Sequence, residues 1–424
     1  MSIRSLGAAA SGIAAMQTEL DTIGNNIANA ETTGYTSQTA QFADLLNQQL
    51  QPAGGPVGNT LASTNPSSIG SGVGVSAITT NFSEGSIQQT GINSDLAIEG
   101  NGFLMVSQAG KTYYTRDGNL QIDANGHLAT NNGGLVQGWG PGQPTSSPTG
   151  PLSIVVGSSG GPVQTQNVLL GGNLPSNPSG PVTVTTTMYD SLGNQVPVTL
   201  TFTPTVNSNG TATSWSLQGT VTGASANLWN TAPTLVFNAS GQLSTINGTA
   251  VGTGQTNIPI DNEPSNYTWS GTTKPSFDFP AVGSQQAVTQ FAGSETLAVT
   301  SQDGHSAGTL ESYSIGSNGV ITGVYSNGQS ASLGTIAIAQ FANPQGLQDI
   351  GNTYFGSTVA SGAAQLGQPG SSGFATIRSG ALEGSNVNLA NQLTKLIEAQ
   401  TAYQANTKVV TTTATAVQSL MQMP

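Results

Sequence analysis

The chain has 424 residues, enough for roughly two to four domains, yet only 6% of them are charged, far below the usual quarter. Its formal net charge is −12 on seven Lys and Arg, none between Arg116 and Lys274, so the basic patch a nucleic-acid partner would require is missing. Cysteine is absent, which excludes disulfides, thiol catalysis and cysteine metal sites, while 56 Gly, 21 Pro and regularly alternating apolar runs point to ordered, turn-rich β structure.

The first element reads as a helix. Leu6, Ala9, Ile13, Met16, Leu20, Ile23, Ile27 and Ala30 recur three and four apart, a heptad seam that needs a partner helix to cover it. Ser2 or Ser5 is the expected cap, and Thr33-Gly34 the expected stop. Polar Gln17, Glu19 and Asp21 follow the small apolar start directly and no A-x-A site is suitably placed, so no cleaved signal peptide is expected. No run of 18 apolar residues offers a membrane-spanning helix. Residues 36–74 read as a linker or arm. Phe42, Leu45, Leu46 and Leu50 allow a second short helix within 36–50, and from Pro52 to Gly74 the composition turns to Gly, Pro, Ser, Asn and Thr.

Strand signals begin at Val75. The run 111–130 carries two turn pairs, Asp117-Gly118 and Asn125-Gly126, between alternating apolar residues, which predicts hairpins. Further hairpins are expected around Leu192-Gly193-Asn194, within 237–248, and at Asn318-Gly319 and Asn327-Gly328. The middle therefore reads as antiparallel sheet in more than one body. One discontinuous β domain is expected from 75–159 and 286–378, with an inserted outer β domain at 160–285. The fold class is mainly β, nested between terminal coiled-coil helices.

The last element restores the helical code. Leu389, Leu393, Leu396, Gln400, Tyr403, Thr407, Val410, Ala414, Val417 and Met421 form a second heptad seam. Segments 1–35 and 379–424 are thus expected to pair, and then to pack against other copies. An amphipathic helix ordinarily packs inside its own globule, but here both seams flank a polar β-rich chain, and Ala8, Ala9, Ala10, Ala14 and Ala15 permit close approach on several faces. Gln400 and Thr407 are polar seam positions of the kind that set register at some cost in stability.

Catalytic signals are weak. His127 and His305 read better as turn residues than as bases or ligands. No H-E-x-x-H, G-x-S-x-G or P-loop spacing occurs, and G-N-G-F at 100–103 lacks the following helix that a phosphate site uses. Asp261, Glu263 and Asp278 do not have calcium-loop spacing. No enzyme activity, cofactor or metal is expected.

Three blocks carry a family likeness. The stretch 11–46 contains DTIGNNIAN, with Asp21, Gly24, Asn25, Asn26 and Asn29, followed by Gly34 and Tyr35; the second block is GINSDLAIEGNGFLMVS (91–107) with 111–130; the third is 380–410, with Gln404, Ala405 and Asn406. Together they resemble the bacterial flagellar axial proteins, the rod, hook and hook-associated subunits. VTVTTTMYDSLGNQVPVTLTF, FNASGQLSTING and LGTIAIAQFANPQGLQDIGNTYF are similar to the hook branch, since rod subunits lack such an insertion. The likeness covers nearly the whole chain, least at 206–235 and 250–290. Thr401 departs from it, standing where the family usually has Arg.

The resemblance implies a structural subunit of a curved, flexible tube that acts as a universal joint between motor and filament, with the terminal helices as its inner wall. It implies a homopolymer with rod and hook-associated proteins at its ends, a hook cap during growth, and type III export to an extracellular position without a cleaved signal. Nucleic acid and membrane insertion are not expected. A distal rod or hook-associated subunit is the nearest alternative. A secreted β-rich adhesin with a coiled-coil end is the alternative of another class.

Overall fold

In a computed structural model, the chain is described over residues 3–55, 65–223, 227–252, 254–271, 274–371 and 373–422. The chain is mainly β, with one long helix near each end. It divides into two compact units: one comprises 1–155, 312–323 and 330–424, the other 156–311 and 324–329. The expected insertion at 160–285 falls within the second unit, which continues to Glu311.

In the first unit, α1 spans Ile3–Ala28 and α2 spans Leu389–Met421. Ser5 lies inside α1 and is not its cap, and Ser2 lies outside the described residues. The chain leaves α1 through a turn that ends at Gly34, whose φ is +67°. A Cβ there would sit 2.6 Å from Asp117 N and 2.7 Å from Asp117 Cα, so glycine is required by both conformation and space. Asn388 caps α2, its Oδ1 accepting from Asn391 N at 3.1 Å. Along α2 the hydroxyls of Thr394, Thr407, Thr412, Thr413 and Thr415 donate to carbonyls three or four residues back, which leaves few polar atoms of this polar helix in need of a partner.

The expected helix at 36–50 is instead β. Strand β1, Gln38–Asp44, pairs antiparallel with β4, Val73–Thr80, and β2, Gln48–Gln51, pairs with β3, Ser67–Ile69. The stretch read as a linker is thus, at both ends, a two-stranded ribbon. Residues 56–64 of it lie outside the described residues. Local apolar spacing was compatible with a helix turn, but cross-strand pairing with residues some thirty positions away decides the conformation, as it often does for short apolar runs.

The rest of this unit interleaves early and late chain. Leu96–Glu99 pairs with Thr376–Ser379, and Ile87–Gln89 with Ala381–Glu383. Phe103–Gln108 pairs with Lys111–Thr115, with Leu135–Trp139 and with Ile338–Gln340. The hairpin turn in this region is Ala109-Gly110, with φ values of +50° and +76°, and not Asp117-Gly118. Gly118 instead lies against Leu96: its carbonyl accepts from Leu96 N at 2.9 Å, and a Cβ on it would collide with Leu96 O. Asn125-Gly126 does turn a hairpin, between Leu120–Ile122 and Leu128–Thr130. An aromatic cluster of Phe82, Phe103, Tyr114, Phe341 and Phe355 fills the core in edge-to-face contacts with centroids 4.8–6.0 Å apart. Beside it Arg116, 1% exposed, meets Glu383 at 3.0 Å and donates to the carbonyls of Gly100 and Gly102, while Glu383 Oε1 also accepts from Gly85 N. Every strong polar group of this buried pair is matched, the condition under which burying it is tolerable.

The second unit is built on two sheets around one core that includes Val168, Leu170, Phe202, Trp215, Leu235 and Phe277. Six strands from Val182–Tyr189 to Thr249–Ala250 form an antiparallel meander. The other sheet corrects the all-antiparallel expectation, because Asn167–Pro175 runs parallel to both Ser276–Phe279 and Val288–Phe291. The chain leaves after Pro175, builds the meander and returns, so no tight turn dictates the direction of the returning strands.

Candidate assembly surface

The two helices pair antiparallel. Asn26 Nδ2 lies 3.4 Å from Gln392 Oε1, and a Cβ on Gly12 would lie 2.8 Å from Asn406 Nδ2, so contacts fourteen residues apart on α1 match contacts fourteen apart on α2. Between them, Glu19 feels Lys395 and Glu398. Its carboxyl is raised above the ordinary value, by burial first, with Glu398 adding and Lys395 opposing.

The face α1 and α2 bury is small and polar. On α1 it holds Ala9, Gly12, Ala15, Thr22 and Asn26; on α2, Gln392, Ala399 and Thr413, with Ala402 and Asn406 half-buried. Small residues let the backbones approach, so the contact does not use the large side chains. Of the seam read on α1, Ala9 and Ile23 are buried, Ile13, Met16, Leu20 and Ile27 are half-buried, and Leu6 is exposed. On α2, Leu396 and Val410 are half-buried, whereas Leu389, Leu393, Gln400, Tyr403, Val417 and Met421 are exposed. Ile397, which the seam passed over, is exposed too. Leu393 at 50% and Ile397 at 62% define an apolar strip on the outside of α2.

The other side of α1 meets the ribbon. Ser11 Oγ accepts from Val73 N at 3.2 Å. Asn26 works as a clamp: Oδ1 accepts from Gln38 N at 2.9 Å and Nδ2 donates to Gln38 O at 2.7 Å, which copies a strand pairing onto a side chain. Tyr35 donates its hydroxyl to the same Oδ1 at 3.1 Å, and accepts from Asn25 Nδ2 at 3.2 Å. Burial, with the Asp349 carboxylate adding, pushes the Tyr35 hydroxyl up to about 12. The ribbon itself turns Phe42, Leu45, Leu46, Leu50, Ile69 and Ile78 outward, with Leu46 90% exposed.

The motif residues divide by role. Asn26, Gly34 and Tyr35 shape the junction of helix and ribbon, Asn29 holds the turn after α1 by donating to Asn25, and Asn406 packs on Gly12. Asp21, Gly24, Asn25, Gln404 and Ala405 face solvent. Gly24 has open space where a Cβ would be. Asn388 was not singled out from sequence, although an Asn just ahead of the first seam leucine is a cap signal.

Among the described residues no three His, Cys, Asp or Glu side chains cluster as metal ligands do. Asp278 is taken up by Ser276 Oγ and Gln255 Nε2, and Asp261 by Asn230 N. His305 Nδ1 lies 3.0 Å from the neighbouring Ser306 carbonyl. Among the described residues no helix is long and apolar enough to cross a membrane.

Comparison with known proteins adds four family models. Residues 6–36 match the flagella basal body rod protein model, 97–168 the flagellar hook protein FlgE/F/G D1 domain, 173–305 the flagellar basal body protein FlaE D2 domain, and 378–423 the flagellar basal body rod FlgEFG protein C-terminal model. The flagellar hook protein FlgE of Borreliella burgdorferi is 35% identical over 99% of both chains, and that of Salmonella typhimurium 33% identical over 96% of this chain and 97% of its own. A crystal structure of Helicobacter pylori flagellar hook protein FlgE2 shares the fold, with a TM-score of 0.53 at 14% identity, covering 70% of this chain and all of that one.

Proposed function

The chain belongs to the flagellar hook protein family, and from that premise we propose that its helical pair and ribbon are the surfaces on which copies assemble into a curved, flexible tube. It is a structural subunit of the bacterial flagellar hook and not an enzyme. The family match favours this reading over an adhesin with a closed coiled-coil end. The observation that carries the assembly reading is the division of α2 into two faces: a small, polar face against α1, and an outer face on which Leu389, Leu393, Ile397 and Val417 are exposed among the described residues.

The physical logic is mechanical. α2 is about 50 Å long at 1.5 Å per residue, and its outer strip is covered by neighbouring copies in a wall of helices. Such contacts are heterologous and open, as a growing tube requires. Bending shortens one side of the tube and lengthens the other. The β units therefore need contacts that slide, and surfaces of Thr, Asn, Ser and Gln exchange partners through water without stranding a charge. The ribbon 38–51 and 67–80 joins the helices to the β units and transmits tilt.

Rod and hook-associated proteins at the two ends, a cap during growth, type III export and an extracellular position are the partners and route this reading carries. A chain without cysteine forms no disulfide that would obstruct passage as an unfolded strand. Electron microscopy of tubes grown from the full-length chain tests the proposal. Curved tubes with an axial channel are expected. Straight rods would return the chain to the rod branch, and closed small oligomers would overturn open assembly.

A further inference from the structure

The second compact unit offers two matching features at separate places. One is a raised apolar point. Leu192, 65% exposed, is the most exposed large apolar residue of that unit among the described residues. It sits on the turn between strands Val182–Tyr189 and Gln195–Val206. This turn is held rigid by Asp190, whose buried carboxylate accepts from Leu192 N at 3.0 Å, Asn194 N at 2.7 Å, Asn194 Nδ2 at 2.9 Å and Thr268 N at 3.1 Å. Gly193, at φ +82°, is pressed against Pro162 and the backbone of Ser306 and Ala307, so the loop is seated from below. A leucine on so fixed a loop loses little further freedom on docking.

The other feature is a cleft of about 210 Å³ lined by Leu243, Pro280, Val282, Ala287, Val288 and Phe291 together with neutral polar residues that include Ser284, and with no charged residue in its lining. It is smaller than the roughly 300–1,000 Å³ of small-molecule sites. Its size suits an aliphatic side chain better than a cofactor. Leu192 cannot reach it within one copy. Leu243 begins the fifth strand of the meander, three to four strands from the Leu192 turn, which is roughly 14–19 Å at the usual strand spacing.

Charge argues for an apolar contact between copies. This unit carries Asp190, Asp261, Glu263, Asp278, Glu295, Asp303 and Glu311 against the single Lys274. Like copies of such a unit repel, and no arginine is present to bridge them. Cohesion must come from neutral and apolar surface.

We propose that Leu192 of one copy docks in the Leu243–Val288–Phe291 cleft of the next, forming a repeated contact between second units along the tube. A point on one surface that fits a pocket elsewhere on the same molecule makes a heterologous contact that does not close. The contact rests on the assembly reading above, and it adds the residues by which the β units hold each other.

The absence of native cysteine permits a direct test in the full-length chain. Tubes are grown from Leu192→Cys, Ser284→Cys and the double variant, oxidised mildly, and denatured without reductant. The double variant is expected to give a ladder of covalent oligomers, roughly tenfold above either single variant, because held neighbours present a high effective concentration. Tubes that form without that ladder overturn the contact while leaving assembly intact. If the unsubstituted chain makes no tube, the assembly reading fails and the contact falls with it. Should the double variant alone fail to assemble, Leu192→Ser decides. Its tubes are expected to dissociate at lower temperature than the unsubstituted ones, with the monomer melt unchanged, and equal dissociation temperatures would overturn the proposal.

Discussion

At the junction of α1 and the ribbon, a few side chains do the work of backbone. Asn26 pairs with Gln38 as a strand would, and Tyr35 completes the acceptor set of its Oδ1. The tyrosine hydroxyl is raised to about 12 from an ordinary 10.0, by burial first and Asp349 second. The folded form therefore keeps its proton where the unfolded form loses it. This contribution to stability is full below pH about 10 and is lost as pH rises towards 12. Thermal melts of the monomer across that window should fall more steeply for the unsubstituted chain than for Tyr35→Phe, which at neutral pH should cost about 1 kcal/mol for the missing hydrogen bond. Parallel curves for the two proteins would rule out the tyrosine as the source. The motif likeness marked Asn26 and Tyr35 but gave them no partners, because Gln38 and Asp349 are brought in by strand pairing and by chain more than three hundred residues away.

The helices show how far a periodic pattern reaches. The span of α2 follows from apolar spacing alone, since 3.6-residue periodicity over 33 residues has few other solutions. Which face meets α1 does not follow. Large residues define the stronger seam in sequence, yet Ala15, Gly12 and Ala399 allow the closer approach and take the internal contact. A pair of charges on the outer strip separates these roles. Leu393→Asp with Ile397→Asp should raise the concentration needed for tube growth at least about tenfold, while moving monomer stability by no more than about 0.5 kcal/mol, as exposed substitutions do. Gly12→Leu should do the reverse, forcing Asn406 aside and lowering helix content of the monomer by circular dichroism. If the double aspartate variant assembles normally, the outer strip is not the contact.

For the whole molecule, charge sets the conditions of assembly. The net charge is −12, and the second unit holds seven carboxylates to one lysine. Copies repel at long range, and the Debye length shortens from about 30 Å at 0.01 M salt to about 8 Å at 0.15 M. Tube growth followed by light scattering should therefore be faster at 0.15 M than at 0.01 M, and a slower rate would point to attraction between unlike charges. From sequence alone came the β class, the helical ends, most hairpin turns and the family, since each depends on local periodicity, turn chemistry or contiguous motifs. Tertiary structure decided that 38–51 is ribbon and not helix, that strand Asn167–Pro175 takes parallel partners, and that most large side chains of the α2 seam stay exposed outside its contact with α1. Those outcomes depend on pairings between distant segments, where the free energy of contact outweighs local preference and no short stretch of chain records the choice.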